Sequence, residues 1–257
     1  MIRTRPALAI LLFMAAIFGV LAAEEPQQWT LRASNPQGWA VYDPDAVLYM
    51  KQIKAEIPDA LFVHIVRDGR DVALSLRRMG GFRPFPWTRQ QLGLNETAVY
   101  WRWMVRHGRQ NGNEMPADYL EMHYEELVSD PRLALKRLAR FIDLDLEYDT
   151  IQRAALGRVS EPNSSFADET ESSPPIGRWK EKLSSEQIKG IESVSGDTLE
   201  EFEYELATSP SERDRRFQSH WLRTFYSVFL DTKLFLKTRT RLGRLANLEP
   251  LQARVAE

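Results

Sequence analysis

The sequence predicts an α/β fold with a parallel central sheet flanked by helices. Residues 61–66 form a continuous, largely apolar and β-branched run. Such a run is typical of a strand that is buried on both faces of a parallel sheet. From this strand onward, the predicted segments come in the order strand, helix, helix, strand, helix, as expected when helices connect parallel strands.

Composition narrows the class of protein. The chain has 257 residues, of which 43% are hydrophobic and 27% are charged, so it is too apolar to be disordered. It has no cysteine, which excludes disulfides, thiolate metal sites and a cysteine nucleophile. The four histidines lack ligand spacing, so no metal site is predicted. A net charge of -2 gives no overall attraction to nucleic acid.

Residues 1–23 resemble a secretory signal peptide or a short signal anchor. Arg3 and Arg5 precede an apolar run over residues 7–23, and Val20-Leu21-Ala22 fits a small-residue cleavage site. We therefore set this segment aside from the fold. Two other interpretations are open, a buried core element and a misassigned start codon. The protein is exported or membrane-anchored if the leader is real, and cytoplasmic if the start is misassigned.

The first predicted elements lead to a strand-to-helix turn. Periodic apolar residues predict a helix over residues 45–56, which ends before Pro58. The strand over residues 61–66 comes next. A helix over residues 71–79 follows it and ends at Gly80-Gly81.

The later elements are read in the same way. Asn95 is expected to cap a helix whose buried stripe is Leu94, Ala98, Trp101 and Val105. Residues 119–124 form a second strand, and Asp130-Pro131 starts another helix. Residues 157–178 form a long polar loop, a feature that is usually functional. Residues 184–187 are a capping box, and a last helix covers about residues 211–245.

The stretch "FVHIVRDGRDVALSL" places two arginines where the first of these strands turns into a helix. The carboxyl end of a parallel strand and the N-terminus of the next helix meet at the ligand edge of the sheet. Backbone N–H groups and the helix dipole there favour an anion, and Arg67 can add a charge-assisted contact to it. Ser75 lies on the same helix face as Asp71. An Arg–Asp surface network is the alternative interpretation.

Four segments resemble the sulfotransferases that use 3′-phosphoadenosine 5′-phosphosulfate (PAPS), and they occur in that family's order. They are "FVHIVRDGRDVALSL", "YLEMHYEELVSDP", "NSSF" and "GRWKEKLSSEQ", within residues 45–207. The resemblance implies a three-layer fold like that of P-loop NTPases, with residues 24–210 as the sulfotransferase-like domain. It also implies PAPS as co-substrate, no metal, and transfer of a sulfuryl group to a hydroxyl or amine acceptor.

The resemblance also assigns nucleotide-binding residues. Arg67 and Ser75 correspond to the family's pair on the 3′-phosphate, and Arg178 is a further candidate for that phosphate. The other implied contacts are Tyr124 with the adenine, Ser164 and Ser165 as hydrogen-bond partners, and Phe166 as a stacking ring.

The family's first strand and its glycine-rich loop for the 5′-phosphosulfate have no recognisable counterpart. Before Asp45 the only glycines are Gly19 and Gly38, and the segment 29–39 offers Arg32 but no lysine. The chain is therefore predicted to lack the first strand–loop–helix unit, and no catalytic residue is assigned. A truncated gene, a divergent loop, and an inactive, membrane-tethered relative that binds nucleotide or a partner are the open explanations.

The C-terminal residues 211–257 are basic, with ten Lys/Arg against five Asp/Glu. Trp221, Phe225, Val228 and Phe229 fall on one helical face, followed by basic residues from Lys237 onward. Such an amphipathic helix can lie on an anionic membrane or contact an acidic acceptor. Alternatively, its aromatic face packs in the core. Possible membrane contact is thus predicted for residues 1–23 and for this tail.

Overall fold

The computed structural model describes residues 8–14, 38–78, 93–153, 176–211 and 217–239. The chain divides into two compact units, residues 1–214 and 215–257. The four strands that the structure describes are β1 (Leu8–Met14), β2 (Gly38–Tyr42), β3 (Leu61–Val66) and β4 (Tyr119–His123).

The described helices of the first unit are α1 (Met50–Glu56), α2 (Gly69–Arg78), α3 (Leu94–Asn113), α4 (Tyr124–Ser129), α5 (Pro131–Ile142), α6 (Tyr148–Arg153), α7 (Trp179–Lys182) and α8 (Ser185–Glu201). A 3₁₀ turn, Pro44–Leu48, precedes α1. The second unit contributes α9 (Phe217–Arg239).

The four strands form one sheet in the order β2-β1-β3-β4, and every neighbouring pair is parallel. Ile10 of β1 lies opposite Leu61 of β3, and Phe62 of β3 lies opposite Tyr119 of β4. The predicted α/β fold with a parallel sheet flanked by helices is therefore confirmed.

The position of β1 corrects one expectation from the sequence. The first strand was predicted to be missing, and residues 1–23 were set aside from the fold as a leader. The structure instead places Leu8–Met14 inside the sheet, hydrogen-bonded to β2 on one side and to β3 on the other. A central parallel strand is a continuous apolar run, and so is the core of a signal peptide, so composition alone does not separate them. Arg32, the residue that the segment 29–39 offers in place of a lysine, lies outside the described residues.

Strand β3 is buried along its whole length because helices cover both of its faces. On one face, Leu61, Val63 and Ile65 pack with Met122 and with side chains of α5. At the end of the strand, Val66 packs with a second cluster that α2, α3 and α8 supply. These two clusters explain the unbroken apolar run.

Several helix starts are confirmed, and two differ from the prediction. Asp130 caps α5 by accepting a hydrogen bond from the Leu133 N–H at 3.1 Å. The capping box at Ser184 and Gln187 is present at the start of α8. The predicted Asn95 cap is wrong, because Gly93 occupies the N-cap of α3. Tyr124 begins α4 and is not the last residue of β4.

In the second unit, α9 carries exposed apolar side chains. Trp221, Phe225 and Val228 are 50%, 42% and 59% exposed, and the rings of Trp221 and Phe225 stack with their centres 5.0 Å apart. Of the helices that the structure describes, none combines the length and the apolar character needed to cross a bilayer.

Candidate functional site

The carboxyl end of β3 places Arg67 at the turn into α2. Its side chain is 1% exposed, and its Nη2 lies 3.4 Å from Oδ2 of Asp71. The guanidinium also lies 4.8 Å from the centre of the Tyr124 ring. The backbone is held as well, because Trp101 Nε1 donates to the Arg67 carbonyl at 3.1 Å. The turn thus presents a buried arginine in a defined position.

Gly69 permits this close contact with Trp101. A Cβ at position 69 would lie 2.5 Å from Trp101 Cε3, which is shorter than real contacts allow. The glycine of the Arg-Asp-Gly-Arg-Asp sequence is therefore required by packing.

Asp71 joins this turn to a distant part of the chain. Its Oδ2 accepts a hydrogen bond from the Gly177 N–H at 2.8 Å, and its Oδ1 accepts one from the Trp179 N–H at 2.9 Å. Burial raises the pKa of the Asp71 carboxyl, although the charge of Arg67 and the two amides act against that rise. Arg178 stands between the two bonded amides and is 2% exposed. The carboxylate therefore brings Arg178 into the neighbourhood of Arg67.

Ser75 lies one helical turn after Asp71. The residue is 2% exposed, and its Oγ has no hydrogen-bond partner among the residues that the structure describes. A buried hydroxyl without a partner costs free energy, so such groups commonly mark a ligand or an ordered water. The buried, unpartnered Ser75 hydroxyl is the observation that points most directly to a bound group.

Tyr124 completes the cluster that the structure brings together. Burial raises the pKa of its phenol, while the positive charges of Arg67 and Arg178 act in the opposite direction. Both arginines therefore act electrostatically on the same ring. The structure places Arg67, Tyr124 and Arg178 close together at the carboxyl end of β3, and Ser75 lies further along α2, one turn after Asp71. The other three predicted site residues, Ser164, Ser165 and Phe166, lie outside the described residues.

The second arginine of the turn, Arg70, has a different environment. It forms ion pairs of 2.7 Å with Asp68 and with Glu192, and its guanidinium lies 3.7 Å from the centre of the Trp179 ring. Asp68 also accepts a hydrogen bond from the Arg70 N–H at 2.9 Å. The Arg–Asp network suggested by the sequence thus exists around Arg70, but it is buried and not at the surface.

A separate polar cluster lies inside the first unit. His64 of β3 is fully buried, and its Nδ1 is 2.6 Å from the Tyr119 hydroxyl, which donates to Glu121 at 2.9 Å. Arg109 forms an ion pair with the same glutamate. Burial lowers the pKa of His64 and would raise that of Glu121, but hydrogen bonds from His64 and Arg109 lower the Glu121 pKa to about 2.

No group of three or more His, Asp or Glu side chains within the described ranges is arranged to hold a metal ion.

The model of the sulfotransferase family matches residues 8–148, which is more than half of the chain. The chain belongs to the sulfotransferase family. The resemblance that the sequence motifs indicated is therefore confirmed at the level of family. The match begins at Leu8, the first residue of β1, and includes Arg67, Ser75 and Tyr124.

Solved sulfotransferase structures are similar to this chain at low identity. The sulfotransferase domain from the curacin biosynthetic pathway is 15% identical with a TM-score of 0.48, and the match covers 67% of this chain and 64% of that one. A mouse sulfotransferase complexed with PAP is 14% identical with a TM-score of 0.48, with coverage of 87% and 89%. A sulfotransferase from Mycobacterium avium is 17% identical with a TM-score of 0.44, with coverage of 68% and 44%.

The chain thus covers less than two thirds of the curacin-pathway domain and of the Mycobacterium avium protein. The search of proteins with curated function found no sequence match to this chain.

Sequence reasoning missed Glu192 as a partner of the strand-to-helix turn. Its carboxylate accepts from Arg70, and also from the N–H groups of Ala207 and Thr208 at 2.9 Å each. The residue is 1% exposed on α8, beside the buried Ile191. A charged residue on the apolar face of a helix is a signal that could have identified it. Nothing in the local sequence, in contrast, indicates that Asp71 contacts residues 177 and 179.

Proposed function

We propose that this chain binds the 3′-phosphate of PAPS, or of its desulfated product, through Arg67, Ser75 and Arg178, with Tyr124 beside the adenosine. The single observation that carries this proposal is the buried Ser75 hydroxyl without a partner among the described residues. It stands one turn from Asp71, which binds Arg67. Membership of the sulfotransferase family supports the same ligand.

The residues present fit the proposed group. A phosphate dianion needs donors, and a guanidinium with a hydroxyl supplies them with charge assistance. The dipole of α2 favours an anion near its start, although the Arg70 N–H there already donates to Asp68. When PAPS is bound, it supplies the activated sulfuryl group. This chain's residues would fix the nucleotide end, and positioning is a large part of catalysis in related phosphoryl chemistry.

We further propose transfer of that sulfuryl group to a hydroxyl or amine acceptor. In such a step the acceptor oxygen or nitrogen forms a bond to sulfur, the bond from sulfur to the 5′-phosphate oxygen breaks, and the acceptor loses a proton. The second candidate is an inactive relative that binds the nucleotide without transfer. It is favoured by the lack of a recognisable glycine-rich loop in the sequence. Labelled PAPS offered with a panel of alcohols and amines separates the two, because only the first gives labelled acceptor.

The binding proposal is tested by calorimetry with two nucleotides. 3′-Phosphoadenosine 5′-phosphate (PAP) should bind more tightly than adenosine 5′-phosphate, since only the former carries the 3′-phosphate. In Arg67→Ala this preference should fall by about 1.5–3 kcal/mol, the range for a hydrogen bond to a charged group.

Arg77→Ala is the matched control, because Arg77 is an exposed arginine at the end of the same helix. It should leave the preference unchanged. Equal affinity of the wild-type protein for the two nucleotides would show that the cluster is not a 3′-phosphate site.

Two contacts with membranes also remain proposals. The exposed Trp221, Phe225 and Val228 support contact of α9 with an anionic membrane surface. Export or anchoring through residues 1–23 is supported by the charged, apolar and small-residue pattern of that segment. Residues 8–14 also form the strand β1. The leader hypothesis and the strand hypothesis therefore predict different effects on folding when residues 1–23 are removed.

A further inference from the structure

Asp71 receives hydrogen bonds from two parts of the chain that are far apart in sequence. Arg67, four residues before it, approaches Oδ2 at 3.4 Å. Gly177 and Trp179, more than a hundred residues later, donate backbone N–H groups to Oδ2 at 2.8 Å and to Oδ1 at 2.9 Å. The Asp71 side chain is fully buried. Both carboxylate oxygens are therefore engaged at the junction of the two segments.

The backbone of Gly177, which donates to Asp71, has a left-handed conformation. Its φ of +72° lies in the left-handed region, which residues with a Cβ rarely adopt. A Cβ there would meet nothing closer than Lys180 Cδ at 3.9 Å, so the restriction is conformational and not steric. The turn directs the N–H groups of Gly177 and Trp179 to Asp71, and Arg178 lies between them in the chain.

We propose that Asp71 is a positioning residue that fixes Arg178 against the Arg67 turn, so that both arginines serve one anion. This inference rests on the proposed function, because the anion is the 3′-phosphate named there. Asp71 itself does not contact the nucleotide. It acts through the two segments that it joins.

The sign of one substitution distinguishes positioning from plain electrostatics. If Asp71 acted only by its charge, Asp71→Asn would remove a negative group near the site and PAP would bind more tightly. Positioning predicts the opposite. The asparagine amide would oppose one of the two backbone donors and release Arg67, and the preference for PAP over adenosine 5′-phosphate should fall about tenfold, as for one lost charge-assisted contact.

The experiment uses the full chain and two readouts. Calorimetry gives the affinity ratio for the two nucleotides, and hydrogen exchange followed by mass spectrometry reports on the amides of residues 176–183 without any ligand. Asp130→Asn is the matched control, because Asp130 also accepts from a backbone amide at a helix start, but as the N-cap of α5. We expect faster exchange over residues 176–183 and a reduced ratio for Asp71→Asn, and neither change for Asp130→Asn.

Gly177→Ala keeps the Asp71 carboxylate and disturbs only the turn at residue 177. It therefore tests the contact between Asp71 and this turn by changing the donor segment. It should lower the ratio in the same direction even if Asp71→Asn does not fold. An unchanged or increased ratio in either folded variant overturns the proposal, and so does unchanged exchange over residues 176–183 in Asp71→Asn. If the wild-type protein itself does not discriminate between the nucleotides, the proposed function fails, and the positioning role fails with it whatever the exchange data show.

Discussion

At the residue scale, two arginines three positions apart differ in what surrounds them. Arg70 is held by the carboxylates of Asp68 and Glu192, each at 2.7 Å. Arg67 faces an aromatic ring and the Asp71 carboxylate at the longer distance of 3.4 Å. Buried charges need partners, and Arg70 has two carboxylates within the fold. Arg67 lies beside Tyr124 at the carboxyl end of β3, and it is the arginine that the proposed nucleotide site uses.

The cluster around Glu121 contributes to the pH dependence of stability in acid. Its pKa of about 2 lies below the ordinary value of 4.5, because the bonds from His64 and Arg109 outweigh the effect of burial. A carboxyl whose folded-state pKa is depressed stabilises the fold above its unfolded-state pKa. That contribution is lost as the pH falls from about 4.5 toward 2.

We therefore predict that Glu121→Gln is less stable than the wild-type protein above pH 5 by about 2–3 kcal/mol, and that the difference shrinks toward pH 2. Urea unfolding midpoints at intervals between pH 2 and pH 7 measure it. Glu126→Gln is the control, because Glu126 pairs with Arg137 at an exposed site and should contribute little. A pH-independent difference between wild type and Glu121→Gln would contradict the assignment.

His64 contributes in the same direction at higher pH. Burial lowers its pKa below 6.5, so the unfolded chain takes up a proton first and stability falls as the pH drops below that value. Glu121→Gln should retain a loss of stability near pH 6.5 while losing the one near pH 4.

At the element scale, the strand hypothesis and the leader hypothesis for residues 8–14 make opposite predictions about folding. As a strand, this segment separates β2 from β3, and its removal would leave β2 without a partner in the described sheet. As a cleaved leader, it would be dispensable for folding once removed.

We predict that a chain beginning at residue 24 fails to unfold cooperatively, because the central parallel strand is gone. Circular dichroism in a urea titration measures this. A chain lacking only residues 2–6 is the control, since it removes the leader-like Arg3 and Arg5 but retains all of β1. Leu11→Pro is a second variant, because proline removes a ladder N–H from a central strand. If the chain from residue 24 unfolds like the full chain, β1 is not part of the working fold.

At the scale of the whole molecule, the chain consists of two units with different surfaces. The second unit includes α9, whose exposed apolar residues accompany an excess of basic residues in the tail. Exposed apolar area together with positive charge is the combination that binds anionic membrane surfaces.

The full chain should therefore float with vesicles that contain phosphatidylserine and not with phosphatidylcholine alone. Binding should weaken in about 1 M salt, where the screening length falls to about 3 Å. The double variant Trp221→Ser/Phe225→Ser should float less, whereas Leu133→Ser, which changes a side chain on α5 that is 57% exposed, should not differ from wild type. Equal flotation on both kinds of vesicle, or on neither, would contradict the membrane proposal.

By itself, the sequence determined the parallel α/β class, the strand β3, the start of α5 and the family. Each of these depends on neighbouring residues: an apolar run, a cap, or a motif of a few positions. The prediction of Arg67 and Ser75 as a pair has the same local basis, because the two residues lie eight positions apart in one strand-to-helix segment.

Only the tertiary structure showed the pairing of residues 8–14 with other strands, the partners of Arg70, and the link from Asp71 to Gly177 and Trp179. A central strand and a signal peptide share one apolar pattern, so composition alone does not reveal that residues 8–14 pair with β2 and β3. The carboxylate of Asp71 meets amides more than a hundred residues away because the chain returns to the end of β3. Such contacts between distant segments are set by packing of the whole domain, and no local pattern encodes them.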